Sequence, residues 1–177
     1  MQNKLTKTDL YSPAEDTLFL ANYIQHEKGN YALDIGTGSG YLARVLLPNF
    51  ELVVATDINY GAAKKAHHII ENCICCNAAD ALCKEFDLII CNMPYLPSDE
   101  ITDNATDGLG EGVVIPFEII KSSRNLIKKG GKMVFLTSSL ANHKELLRQS
   151  ESLGFHVNIV ATKKTFFEEL ILVEAKK

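Results

Sequence analysis

The sequence predicts an α/β fold: seven strands in one mostly parallel sheet, helices on both faces, and an antiparallel last strand. Three observations lead there. Apolar runs of strand length alternate with stretches of helix length for most of the chain, the sign of βαβ units joined by right-handed crossovers. A glycine-rich turn, Gly36-Thr37-Gly38-Ser39-Gly40, opens straight from the first strand. Near the end, two strands are separated by a link that opens with Ala161-Thr162-Lys163-Lys164 and stops at residue 167, too few residues for a crossover, so the last strand has to reverse direction. The 177 residues, 1–177, read as one domain, long enough to bury a core without a disulfide or metal staple.

The elements follow in order. A helix is expected over residues 13–25, then a strand over 31–35 that runs into the glycine turn, and a second helix over 40–47. The second strand is 52–56, rich in Val, and the third helix 62–71. A short third strand, 73–76, reads Cys-Ile-Cys-Cys, and the fourth, 86–91, is a continuous apolar run stopped by Pro94. The fourth helix is placed at 113–129, with Pro116 in its first turn and Gly130-Gly131 as its end. Strand 132–137, helix 139–153 and strands 156–160 and 168–173 complete the set.

Composition excludes several function classes. The net charge of −4 and pI near 5.7 leave no basic face for a nucleic-acid backbone, so nucleic acid is an unlikely partner. No apolar stretch is long enough for a membrane span, and the opening residues lack the apolar centre of a signal peptide; a cytoplasmic location is expected. The five cysteines, Cys73, Cys75, Cys76, Cys83 and Cys91, fit no zinc spacing and read as small hydrophobes of a reducing compartment, so no metal site is expected.

The glycine turn and its acids describe a cleft. Glycines let the chain turn tightly and let a ligand approach the backbone, although a plain tight turn also uses them. Asp57 closes the second strand nineteen residues after Gly38, where a carboxylate can take both hydroxyls of an adenosine ribose or, equally, cap a helix. Ile58 follows it. Asp80, with Ala81 beside it, comes after the third strand, and Asp34 stands just before the turn. Acids at 34, 57 and 80 suit a cationic nucleoside without phosphates, of which S-adenosylmethionine is one.

The fourth strand ends in Asn92-Met93-Pro94-Tyr95. A carboxamide nitrogen, like the exocyclic amine of adenine, is a poor nucleophile and has to be held and polarised. The side-chain oxygen of Asn92 and the backbone carbonyl of Met93 can each accept one N–H, Pro94 fixes that carbonyl, and Tyr95 offers a planar face.

These segments, LDIGTGSG, ATDIN, NAADAL and CNMPY, in that order, resemble the class I S-adenosylmethionine-dependent methyltransferases, with their Rossmann-like domain. The further segments LYSPAEDTLFL and DGLGEGVVIPFEII resemble the HemK-like branch that methylates the glutamine of translation release factors, in its short archaeal and eukaryotic form. That resemblance implies Thr17, Asp34, Gly36, Gly38, Asp57, Ile58, Asp80, Ala81 and Asn92 as cofactor contacts, and Asn92, Met93, Pro94 and Tyr95 as the catalytic tip. Met93 stands where the family usually has proline.

By the same resemblance, tips of this class serve protein glutamine in some members and amino groups of RNA or DNA in others, so the motif alone does not choose between them. Residues 99–111 carry five acids and no base beside it, which favours a protein substrate over a polyanion. A cofactor-binding subunit without catalysis of its own is the third reading. The resemblance also implies a small zinc-containing activator subunit, bound along the third strand, Cys73 to Cys76, whose apolar edge lacks a guarding lysine.

Overall fold

A computed structural model describes residues 14–177, so Pro13 and the segment before it, including the expected absence of a signal peptide, lie outside the described residues. The elements are α1 (Glu15–Ile24), β1 (Gly29–Ile35), α2 (Tyr41–Leu46), β2 (Phe50–Asp57), α3 (Tyr60–Ala66), β3 (Cys73–Cys75), β4 (Phe86–Asn92), α4 (Val114–Ser123), β5 (Ile127–Ser138), α5 (His143–Ser152), β6 (His156–Lys164) and β7 (Glu169–Lys176). They form a seven-stranded sheet in the order β3-β2-β1-β4-β5-β7-β6. All pairs from β3 to β5 are parallel, and β7 runs antiparallel to both β5 and β6. The expected reversal of the last strand is present, but Ala161-Thr162-Lys163-Lys164, expected to open the link, pair with β7 as the end of β6, and the turn is made by residues 165–168.

The core lies in two layers because alternate strand residues point to opposite faces. On one face Ala32, Val53, Leu88 and Val134 pack against Leu20 and Ile24 of α1 and Leu42 and Leu46 of α2. On the other, Leu33, Ile89, Met133 and Phe135 pack against Ile120 of α4 and Leu146 of α5. No described helix is long and apolar enough to cross a membrane.

Helix ends differ from expectation where a cap or a packing need decides. Asn59 accepts from Gly61 N and Ala62 N, so α3 starts before residue 62 and gives way after Ala66 to turns that bury Ile70. Asn142 accepts from Glu145 N and starts α5 late. The larger correction is α4, which stops at Ser123, well before Gly130-Gly131. Ile127, fully buried, already pairs with Phe86 as the start of β5, and the register then shifts so that Leu88 pairs with Lys132. The glycine pair makes that bulge: Gly130 takes φ of 81°, and a Cβ on Gly131 would lie 2.9 Å from the carbonyl oxygen of Phe86. A glycine pair after a helical stretch thus marked a bulge inside the next strand.

Candidate active site at the strand tips

The sheet order sets the carboxyl ends of β3, β2, β1 and β4 side by side. Ligands of open α/β sheets bind at such ends, where strand order reverses. After β1, Gly36, Gly38 and Gly40 take φ of 71°, 54° and 79°. A Cβ at Gly36 or Gly38 would meet nothing within 4 Å, so both face open space, whereas one at Gly40 would sit 3.4 Å from Ala66. The first two glycines shape the cleft; the third lets α2 approach α3.

Asp34 is fully buried beneath this turn. Its Oδ2 accepts from Thr37 Oγ1 at 2.7 Å and from Ala43 N at 3.0 Å, while Oδ1 has no partner among the described residues. Burial pushes the carboxyl up to about 7, against the pull of those two hydrogen bonds. An orphaned buried acceptor is costly unless something fills it, and a cation does so best. Asp57 ties the second tip to the turn: Oδ2 accepts from Gly38 N and Oδ1 from Asn59 N, each at 2.8 Å. Each oxygen has a further lone pair for a ribose hydroxyl. Ile58 beside it is 53% exposed, an apolar surface at the mouth of the cleft.

Asp80 and Ala81 stand apart. Both are exposed, Asp80 Oδ2 accepts from Asn77 Nδ2 at 3.0 Å, and among the described residues no hydrogen bond joins either to the other tips.

The tip of β4 is the most constrained. Asn92 Nδ2 donates to Asp16 Oδ2 at 3.1 Å and to Thr17 Oγ1 at 3.4 Å, both from the first turn of α1. Because a carboxylate only accepts, the amide nitrogen has to face Asp16, which turns Asn92 Oδ1 the other way. That oxygen is buried and has no partner among the described residues. Asp16 is the residue that sequence reading passed over; an acid in a first helical turn looks like a mere complement to the helix dipole, and only its place beside Thr17 hinted at more.

Met93 sends its side chain into the core, 2% exposed, and its N–H to Leu136 O at 3.3 Å. Only its carbonyl is left for a ligand. Tyr95 departs from the expected open face: it is 9% exposed, packed in the cluster that includes Ala141, Leu170 and Val160. Its hydroxyl donates to Glu168 Oε1 at 3.4 Å. Burial first, and then the Glu168 carboxylate, push that hydroxyl above the ordinary tyrosine range, so it remains a donor. The ring is claimed by packing because the β6–β7 connection folds over it.

The acidic segment is pinned to the tip. Leu96 N donates to Thr106 O and Gly108 N to Leu96 O, while Asp107 accepts from Thr102 N, Thr102 Oγ1 and Asp103 N, bonds that hold its carboxyl down to about 2. Gly108 and Gly112 let the segment close against the tip. A Cβ at Gly108 would lie 2.6 Å from Pro94 O, and one at Gly112 would overlap Tyr95 O. Neither glycine was singled out from the sequence, since a run of Gly at alternate positions reads as an ordinary loop.

Comparison with known proteins shows the family and the fold. The methyltransferase small domain model matches residues 12–167. The candidate protein N5-glutamine methyltransferase of Methanocaldococcus jannaschii is 33% identical, covering 94% of this chain and 91% of that one. The tRNA1(Val) (adenine(37)-N6)-methyltransferase of Glaesserella parasuis is 27% identical over 80% of this chain and 65% of its own length. Among solved structures, the E. cuniculi Mtq2–Trm112 complex, responsible for methylation of the termination factor eRF1, superposes with a TM-score of 0.80 at 24% identity, covering 94% of this chain and 98% of that one, which shows the shared fold. By its family match and its relative, this chain belongs to the methyltransferase small domain family and is a class I S-adenosylmethionine-dependent methyltransferase of the HemK-like type.

Proposed function

We propose that the enzyme methylates the side-chain amide nitrogen of a glutamine, in the Gly-Gly-Gln loop of a translation release factor. The observation that carries this reading is the buried, unpartnered Oδ1 of Asn92, held in place from behind by Asp16. It accepts one N–H of the incoming amide and the Met93 carbonyl accepts the other, which aims the nitrogen and raises the electron density on it. Thr17 steadies Asn92 from the same helix turn.

The residues present fit S-adenosylmethionine: the orphaned Asp34 oxygen meets a cationic group, Gly36 and Gly38 leave backbone room, and Asp57 takes ribose hydroxyls beside Ile58. When bound, the cofactor supplies an electrophilic methyl group. No residue of the tip needs to change its protonation state for the amide to be held.

A pH dependence follows from Asp34. Its carboxyl, raised to about 7, is neutral below that pH, and a cation prefers the ionised form. Cofactor affinity is therefore expected to weaken as pH falls from 8 to 6, by roughly tenfold across the titration. Calorimetric titrations over this range check it, and Asp34→Asn is expected to bind more weakly with a flat profile. The same shift means that this group's contribution to stability declines as pH rises from about 4 to about 7 and is constant above.

The relative from Glaesserella parasuis favours a second reading, methylation of an adenine amine, whose N–H pair the same two acceptors would hold. Against it stand the acids pinned around the tip, Asp99, Glu100, Asp103, Asp107 and Glu111, which repel a phosphate backbone. Incubation with methyl-labelled cofactor and purified release factor, or cell extract with and without nuclease, tests the choice. Label on a glutamine, located by mass spectrometry, is expected; label removed by nuclease would replace the reading.

A small activator subunit belongs to the same proposal. β3 is three residues long and pairs only with β2, so its outer edge offers unpaired backbone groups beside Cys75, which is exposed. Alkylation of Cys75 is expected to slow when such a partner is bound; an active chain alone, alkylated at an unchanged rate, would remove the partner from the proposal.

A further inference from the structure

The turn between β6 and β7 carries the least expected side chains of the molecule. Thr165 and Glu168 close it: Thr165 N and Thr165 Oγ1 donate to Glu168 O at 2.8 and 2.9 Å, and Glu168 N donates to Thr165 Oγ1 at 3.2 Å. The two central positions of such a turn usually hold Gly, Asn, Asp or Pro. Here they hold Phe166 and Phe167, 91% and 84% exposed, stacked edge to face with centroids 4.8 Å apart. Nothing in the turn requires aromatic rings, and leaving two in water forfeits their burial.

Their position explains them. β6 runs parallel to β5, so its end lies at the same rim of the sheet as the tip of β4. Both flanks of the turn are bolted to the walls of the site: Glu168 receives the Tyr95 hydroxyl, and Lys163 pairs with Glu15 at 2.8 Å, one residue before Asp16. The second oxygen of Glu168, Oε2, is buried without a partner among the described residues. The rim thus offers two rings and an unused acceptor, next to acids on the other side of the tip.

We propose that Phe166 and Phe167 form the docking element for the protein substrate, entering an apolar recess beside its glutamine-bearing loop while Glu168 Oε2 accepts an N–H from that loop. This rests on the glutamine reading above and deepens it. The occupant is a protein with an apolar pocket and donor groups: beside the rings Lys163 is already paired with Glu15, which leaves Lys164 against Glu168, Glu169 and the five acids of residues 99–111, so phosphates brought with bases would meet a net negative rim. Rigid aromatic side chains on a pinned turn give contact area at small entropic cost, as anchors of interfaces do.

The test is a Phe166→Ala/Phe167→Ala double variant, with Phe166→Leu/Phe167→Leu as a partial rescue. Neither is expected to shift Tm or cofactor affinity, since both rings are exposed. Affinity for the release factor, by calorimetry, is expected to fall roughly ten- to a hundredfold in the alanine variant, with KM rising in parallel, and to recover partly with leucine. Equal binding by wild type and variant overturns this inference and leaves the glutamine reading standing. If the wild-type chain labels nucleic acid and no glutamine, the reading falls; loss of that labelling in the variant would make the rings a base platform and overturn protein docking. A variant that changes only self-association overturns it too, as does a wild-type chain that does not bind the release factor.

Discussion

Asn92→Ala is expected to lower kcat about a thousandfold, close to ~4 kcal/mol of transition-state stabilisation, with cofactor affinity nearly unchanged. The reason is the division of labour around its amide. Nδ2 is occupied by Asp16 and Thr17, which leaves Oδ1, without a partner among the described residues, as the acceptor that the proposed reaction would use. Truncation leaves the amide of the substrate with one acceptor and a freedom of rotation that positioning had removed. Asp16→Ala acts through Asn92 and is expected to cost less, roughly ten- to a hundredfold, because the amide is still present but free to turn or flip. Asp16→Asn keeps one acceptor oxygen and should recover part of that loss, which a purely structural role for Asp16 would not produce. Single-turnover rates beside cofactor titrations separate these effects. Equal loss of cofactor binding and transfer in Asn92→Ala would reassign Asn92 to holding the tip together.

The sheet was legible because its central strands, β1, β2, β4, β5 and β7, advertise themselves by apolar residues that are buried, and because the short connection before the last strand admits only one direction of return, although residues 161–164, expected in that connection, extend β6 instead. The glycine turn and the acids at its neighbours could be read from spacing, since strand ends of a parallel sheet are close in space even when far in sequence. What escaped reading depends on contacts between distant segments. The link between Asp16 and Asn92 spans 76 residues and is invisible to any local pattern. Burial of Tyr95 depends on the β6–β7 turn folding over it, and the bulge at Gly130-Gly131 on Ile127 finding Phe86. Local propensity there favoured a longer helix; tertiary pairing overrode it.

The same tertiary logic gives the second large effect, at Gly112. Alanine there has two faults: a φ of 74°, which costs any L side chain about 1–2 kcal/mol, and a Cβ that would overlap the carbonyl oxygen of Tyr95 and sit 3.0 Å from Ala141 Cβ. Something has to shift, and the carbonyl belongs to the tip proposed to hold the substrate. Gly130→Ala isolates the first fault from the second, because Gly130 has φ of 81° yet a Cβ there would meet nothing within 4 Å. Gly130→Ala is therefore expected to lose about 1–2 kcal/mol and keep its kcat. Gly112→Ala is expected to lose about 3 kcal/mol or more, and its kcat at a temperature where it remains folded should drop at least about tenfold. Denaturant titrations paired with rate measurements decide the matter. If the two variants lose stability alike and both retain full turnover, then Gly112 serves the backbone turn alone and the tip of β4 does not depend on the loop that closes against it.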